Sequence, residues 1–219
     1  MPAATIVPRV PRVVASVLAL LVLAGCAPTS TTATMRSAQP EYAPGFNGVP
    51  VDYASEIPQA QFTADDGEPF DLRAAMRERP TLMYFGYTHC PDICPVHLAN
   101  IATAMENTSI GADQINVVFV SADPRRDTPE VLHDYLAAFD ASFIGLWAPQ
   151  AQVDAFMGGL GLPPPVMENP SGSEQYTVGH PGQVLAFDTT GRARIAYPFG
   201  TRQSQWAQDL PRLAREDWS

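Results

Sequence analysis

Residues 81–105, TLMYFGYTHCPDICPVHLANIATAM, contain a change of pattern that decides the fold. Leu82, Met83, Tyr84 and Phe85 form an apolar run without alternation, as expected of a strand buried on both faces. Leu98, Ile101, Ala102 and Met105 then fall at helical spacing, which predicts a helix starting near Val96. Between the two lies Cys90-Pro91-Asp92-Ile93-Cys94, so a pair of thiols stands at the tip of a strand and the start of a helix. The partial positive charge at a helix N-terminus lowers thiol pKa and favours the thiolate, the form that attacks disulfides and binds metals.

Outward from this junction, strands and helices alternate. Gln61 to Asp65 followed by Asp66-Gly67 reads as a short strand and a hairpin turn. Asp71 to Arg79 reads as a brief helix stopped by Pro80. Ile115 to Val120 is a second buried strand. Thr128 and Pro129 then read as N-cap and first residue of a helix whose stripe is Leu132, Tyr135, Leu136 and Phe139, ending near Asp140. A short strand over Phe143 to Leu146 precedes a helix from Gln150 to Met157, ended by Gly158-Gly159. A proline-rich loop from Pro163 to about Gln175 follows. Val184 to Phe187 and Ala193 to Tyr197 form an antiparallel hairpin, and Thr201 to about Leu213 a last helix broken by Pro211. The order βαβα then ββα implies parallel pairing early and a mixed sheet overall. This is an α/β, thioredoxin-like arrangement: a mixed central sheet flanked by helices, with an extra N-terminal hairpin.

The third cysteine of the chain, Cys26, has a different context. Arg9 and Arg12 precede an uncharged apolar stretch, Val13 to Leu23, which ends in Leu23-Ala24-Gly25-Cys26. The stretch is shorter than the roughly 20 residues of a spanning helix and ends in small residues, as a secretory signal does. Leu-Ala-Gly-Cys resembles the bacterial lipobox, in which the cysteine becomes the lipidated first residue; an uncleaved anchor with an incidental cysteine is the alternative. Residues 1–25 are therefore expected to be a lipoprotein signal peptide. Residues 26–50, rich in Thr, Ser, Ala and Pro, are expected to be a flexible tether, and 51–219 a single domain. The expected location is the extracytoplasmic face of the cell membrane, where a thiol pair meets oxidising conditions. Without residues 1–25 the chain has 11 arginines, no lysine and 23 acidic residues, a net charge of about −12, which disfavours nucleic acid as a partner.

Three blocks carry a resemblance. Gly86-Tyr87-Thr88-His89-Cys90-Pro91-Asp92-Ile93-Cys94-Pro95 is similar to the signature of the Sco/SenC family. Ser121-Ala122-Asp123-Pro124-Arg125-Arg126-Asp127-Thr128-Pro129 resembles its second block, and Tyr176-Thr177-Val178-Gly179-His180 a third. The resemblance runs over about residues 60 to 215. It implies a membrane-tethered, thioredoxin-like protein that binds copper and helps deliver it to the binuclear copper centre of cytochrome c oxidase. The implied copper ligands are Cys90, Cys94 and His180. Many relatives carry an acidic residue before the histidine and a hydroxyl residue after it; here these are Gly179 and Pro181.

The donor types agree with that implication. Thiolates suit Cu(I), and imidazole tolerates Cu(II) as well, so two Cys and one His can hold either state. Three ligands also leave an open position for an incoming thiolate. Other readings stay open. Cys90 and Cys94, about 6 Å apart along a helix, are within bridging range and could form an inert disulfide. As a redox pair they could instead reduce a partner's disulfide. Pro181 lies near the position of the cis-proline of thioredoxin-like oxidoreductases, and a cis peptide there would favour exchange. Asp123 is either a turn residue or an outer carboxylate near the site, and Asp92 could tune the cysteines or touch a partner. His89 could tune Cys90; otherwise His89, His97 and His133 read as solvated or partly buried. Met76, Met83, Met105 and Met157 read as core. The implied partners are the copper-accepting oxidase subunit, a thiol reductant, and the membrane through the lipid on Cys26.

Overall fold

The structure, a computed structural model, describes residues 43–51, 57–168 and 176–218, all within one compact unit, Gln39–Ser219. The signal peptide, Cys26 and most of the expected tether lie outside the described residues. Along the chain run β1 (Val49–Pro50), β2 (Phe62–Ala64), β3 (Pro69–Phe70), α1 (Leu72–Glu78), β4 (Thr81–Gly86) and α2 (Ile93–Thr108). Then come β5 (Asn116–Ser121), α3 (Pro129–Ala137), β6 (Ile144–Trp147), α4 (Gln150–Gly159) and β7 (Val166–Glu168). The last elements are β8 (Thr177–Gly179), β9 (Val184–Phe187), β10 (Ala193–Tyr197) and α5 (Gln203–Leu213). No helix among the described residues is long and apolar enough to cross a membrane.

The main sheet has the order β1-β10-β9-β4-β5-β6-β2-β3. β4, β5 and β6 are parallel, whereas β9 pairs antiparallel with β4 in the register Tyr84 to Val184. Every residue of β4 and β5 is buried, which explains their continuous apolar runs. Their side chains alternate between two cores. Leu82, Tyr84, Val117 and Phe119 face the core built with α2, α3 and α5; Met83, Phe85, Val118 and Val120 face the core built with α1 and α4. The four methionines read as core are buried there.

Local chemistry sets most boundaries. The Asp71 carboxylate accepts from the Ala74 N–H at the start of α1, and the Thr128 hydroxyl accepts from the Val131 N–H at the start of α3, with Pro129 next. Gly67, at φ +87°, makes the β2–β3 turn. β2 then joins the sheet through β6, so the extra hairpin extends the edge.

Several boundaries differ from expectation. α2 begins at Ile93, about one turn before Val96, because Pro95 occupies the first helical turn, where a missing N–H costs nothing. α3 stops at Ala137. α4 runs through Gly158-Gly159 and ends in a Schellman motif at Gly161 (φ +71°), in which the Leu162 N–H donates to Met157 and the Gly161 N–H to Gly158. Pro211 lies inside α5 without breaking it; burial of Trp206, Leu210 and Leu213 outweighs one lost backbone bond near the helix end. The proline-rich loop contains β7, paired with β8; its residues are all exposed, so it has no alternation of burial to read.

The expected tether is ordered over residues 43–50. Phe46 is buried, β1 pairs with β10, and Asn47 is gripped by the buried Asp209, which accepts from its backbone N–H at 2.7 Å and its side-chain amide at 2.8 Å. Tyr197 also donates to Asp209, at 2.9 Å.

Candidate metal centre

The C-terminal end of β4 delivers the chain into a turn in which the Cys90 N–H donates to the Tyr87 carbonyl at 3.1 Å. The turn is held from below by Asp127, wholly buried in the β5–α3 loop. Its carboxylate accepts from the Thr88 hydroxyl at 2.7 Å, the Ser121 hydroxyl at 2.7 Å and the Thr88 N–H at 3.3 Å. Burial raises the Asp127 pKa against the opposing pull of these donors. α2 starts three residues after Cys90 and places Cys94 in its first turn, fully buried, while Cys90 is half-buried. Both are free thiols.

His180 arrives from the loop between β8 and β9. The antiparallel pairing of β9 with β4 brings that loop over the cysteine turn, and the His180 Nε2 lies 3.5 Å from Cys94 Sγ. The ligand atoms of Cys90, Cys94 and His180 all lie within 4.8 Å of one another. The His180 Nδ1 is 3.1 Å from the Pro181 carbonyl, which can only accept, so Nδ1 donates there and Nε2 is the ring nitrogen that faces the sulfurs. Tyr84 and Tyr87 pack against the His180 ring at 5.9 and 5.7 Å. The three residues implied as ligands are thus assembled by the fold. The His180–Pro181 peptide is trans, as are all peptides among the described residues, so the cis-proline of the exchange reading is absent there.

The two thiols are inequivalent. The hydrogen bond from Cys94 is the largest cause of a Cys90 pKa lowered to about 4, assisted by the Asp92 and Cys94 N–H groups at the helix start, the latter 3.5 Å away, and by His180. The Cys94 pKa is raised, first by holding its proton against Cys90 and then by burial. The Tyr84 hydroxyl donates to Cys94 Sγ at 3.5 Å, and burial keeps that phenol protonated. A sign follows: Cys90 is a thiolate above about pH 4 and loses its charge only below it. Alkylation of the reduced, metal-free chain lacking residues 1–26 should therefore label one thiol, Cys90, with a pH midpoint near 4, and leave Cys94 unlabelled at neutral pH. Mass spectrometry of peptides alkylated across a pH series reads this directly, and a midpoint in the ordinary thiol range would refute it.

The other sequence candidates fall at different distances from the cluster. Asp123 is buried and accepts from Arg126 and, at 2.7 Å, from the Tyr176 hydroxyl. Arg126 in turn stacks 3.6 Å from the Tyr176 ring centre and 5.6 Å from that of Tyr87, so Asp123 reaches His180 through Arg126 and Tyr87. Asp92 is the N-cap residue of α2 without a side-chain cap bond. His89 is exposed, with Nδ1 3.0 Å from the Thr88 hydroxyl, and His133 is exposed beside Asp65. His97 departs from expectation: it is 1% exposed, and burial lowers its pKa. Sequence reading also missed Tyr84 and Asp127 as site residues. Each sits inside a quoted segment, but only the register of β4 and the path of the β5–α3 loop aim them at the cysteines.

Comparison with known proteins places this geometry. The sequence profile of the SCO1/SenC family matches residues 53–215. A Stutzerimonas stutzeri protein named for copper binding is 33% identical over 140 residues, 63% of this chain and 67% of that one. The matched stretches in other relatives are shorter, between 25% and 57% of their lengths. Copper-bound ScoI of Bradyrhizobium japonicum is 30% identical, with a TM-score of 0.63 over 76% of this chain and 98% of that chain. Apo Sco1 of Thermus thermophilus is 28% identical, with a TM-score of 0.67 over 77% and 96%. The fold is thioredoxin-like, as in these Sco structures. With its profile matched over most of the length, and two cysteines and a histidine gathered at one strand-to-helix junction, the chain belongs to the SCO1/SenC family.

Proposed function

We propose that this chain is a copper metallochaperone, tethered at the extracytoplasmic membrane face by lipid on Cys26, that delivers copper to the copper centre of cytochrome c oxidase. The observation that carries the reading is the convergence of Cys90 Sγ, Cys94 Sγ and His180 Nε2 within 4.8 Å. Two soft sulfurs and one imidazole match copper in either oxidation state. The pair is already partly prepared for a cation, with Cys90 a thiolate at neutral pH and the His180 Nε2 turned towards the sulfurs. Cys90 is the more accessible sulfur, so it is the ligand that an incoming partner thiolate would replace first. A thiol reductant would keep the two cysteines open between cycles. Copper-bound relatives support the assignment.

A second reading, thiol–disulfide exchange, is favoured by the same low Cys90 pKa. Cys90 thiolate would attack a partner disulfide and expel one thiolate. Cys94 would then resolve the mixed disulfide, leaving this chain oxidised and the partner with two reduced thiols. His180 separates the readings. The chain lacking residues 1–26, reduced and anaerobic, is expected to hold one copper, and His180→Ala to release it to a competing chelator. Copper binding indifferent to His180→Ala, with disulfide reductase activity retained, would move the assignment to exchange.

A further inference from the structure

His97 is a buried polar side chain on α2 with one firm partner. Its Nε2 lies 3.0 Å from the Gly182 carbonyl, 85 residues away in sequence. A carbonyl can only accept, so Nε2 carries the proton. The ring is enclosed by Tyr84 at 5.1 Å and by Phe199 at 5.7 Å. Gly182 itself lies between α2 and the segment after β10: a Cβ there would make ordinary contacts, 3.6 Å from Ile93 Cδ1 and 3.9 Å from Phe199 Cβ. Placing an imidazole in such a site costs desolvation, which the bond to Gly182 offsets.

The consequence comes from where the two ends of this bond lie. His97 is one helical turn after Cys94, on the same face of α2. Gly182 is two residues after His180, in the short loop that joins β8 to β9. One helix therefore supplies both a sulfur and the anchor for the loop that supplies the nitrogen. We infer that His97 is a positioning residue, whose Nε2–H bond to Gly182 fixes the His180 loop against α2 and so sets His180 Nε2 relative to Cys94 Sγ. This rests on the metal reading of the cluster. His97 is not a ligand itself; it acts through the backbone of the loop.

The test is Cu(I) competition with a chromogenic chelator on the full chain, reduced and anaerobic, for His97→Gln, His97→Asn and His97→Leu in native and His180→Ala backgrounds. A glutamine amide reaches the position of Nε2 and can still donate to Gly182; asparagine is one methylene too short. His97→Gln is expected within about threefold of native affinity. His97→Asn and His97→Leu are expected to weaken binding by ~10–100-fold, the range for partners that orient a metal ligand. In the His180→Ala background the same substitutions should change affinity by less than about threefold, because the ligand they position is gone. Nitrogen hyperfine coupling in the Cu(II) spectrum should survive His97→Gln and be lost in His97→Asn. If the apolar variant does not fold, the asparagine variant carries the comparison. Native affinity in His97→Asn, or an equal loss in the presence and absence of His180, would overturn the inference. Failure of the metal reading shows separately, as a native chain whose copper affinity is unchanged by His180→Ala, and takes this inference with it.

Discussion

Cys90→Ser and Cys94→Ser will each weaken Cu(I) binding by more than ~100-fold, since even an outer residue that orients a ligand is worth ~10–100-fold and a sulfur ligand is worth more. A hydroxyl is a hard donor with little affinity for Cu(I). The two variants should look alike by copper content and differ in thiol chemistry. In the chain lacking residues 1–26, Cys90→Ser leaves only the buried Cys94, whose pKa is raised, so the folded variant should resist alkylation. Cys94→Ser keeps a hydroxyl where the Cys94 thiol donates, so Cys90 should remain a thiolate although copper is lost. Cys94→Ala removes that donor and should move the Cys90 alkylation midpoint up from about pH 4, because the bond from Cys94 is the largest cause of its low pKa. An unchanged midpoint in Cys94→Ala would show that the N–H groups of the helix start and His180 suffice to set the Cys90 charge. Retained Cu(I) affinity in either serine variant would remove that sulfur from the site.

Gly86→Ala is expected to damage stability and site together. A Cβ on Gly86 would lie 2.7 Å from a Phe119 ring carbon and 2.9 Å from Cys94 Sγ, closer than real contacts allow. Phe119 is fully buried, and Gly86 is held in register opposite Ser121, so neither side can retreat cheaply. Overpacking of this kind costs about 1–3 kcal/mol. At roughly 2–4 °C per kcal/mol for a domain of this size, the melting midpoint should fall by several degrees. The displaced sulfur should also lower copper affinity. Without the clash, Gly→Ala would stabilise by about 0.4–1 kcal/mol through the unfolded chain, so the sign of the change in thermal unfolding is decisive. A stabilised variant with native copper affinity would mean that the Cys94 side chain has room to move.

The elements readable in advance were those whose burial follows a simple period. β4 and β5 are buried on both faces and so are apolar at every position, and α3 is marked by a capping threonine, a proline and a stripe. Elements that depend on distant partners were less legible. β1 is two residues that exist as a strand because β10 offers them an edge, and the segment before it is ordered because Asp209 on α5 holds Asn47. α2 starts about one turn before its apolar stripe, which begins at Leu98, and Pro95 at its third position costs no hydrogen bond in the first turn.

For the site, sequence alone determined the chemical inventory: two cysteines at a spacing that puts both at a helix start, a histidine in a block similar to one family's, and a second block ending in Asp127-Thr128-Pro129. Spacing suffices for Cys90 and Cys94 because one turn of backbone connects them, and local geometry is encoded locally. What joins His180 to them is not local. It requires β9 to pair antiparallel with β4, which carries a residue 86 positions beyond Cys94 to 3.5 Å from its sulfur. The bond from the Tyr84 hydroxyl to Cys94, the donors that converge on Asp127, the contact of Gly86 with Cys94 and the bond from His97 to Gly182 are likewise tertiary. Each joins groups brought together only by the packing of separate elements, so their energies arise when the sheet, α2 and the His180 loop close on one another.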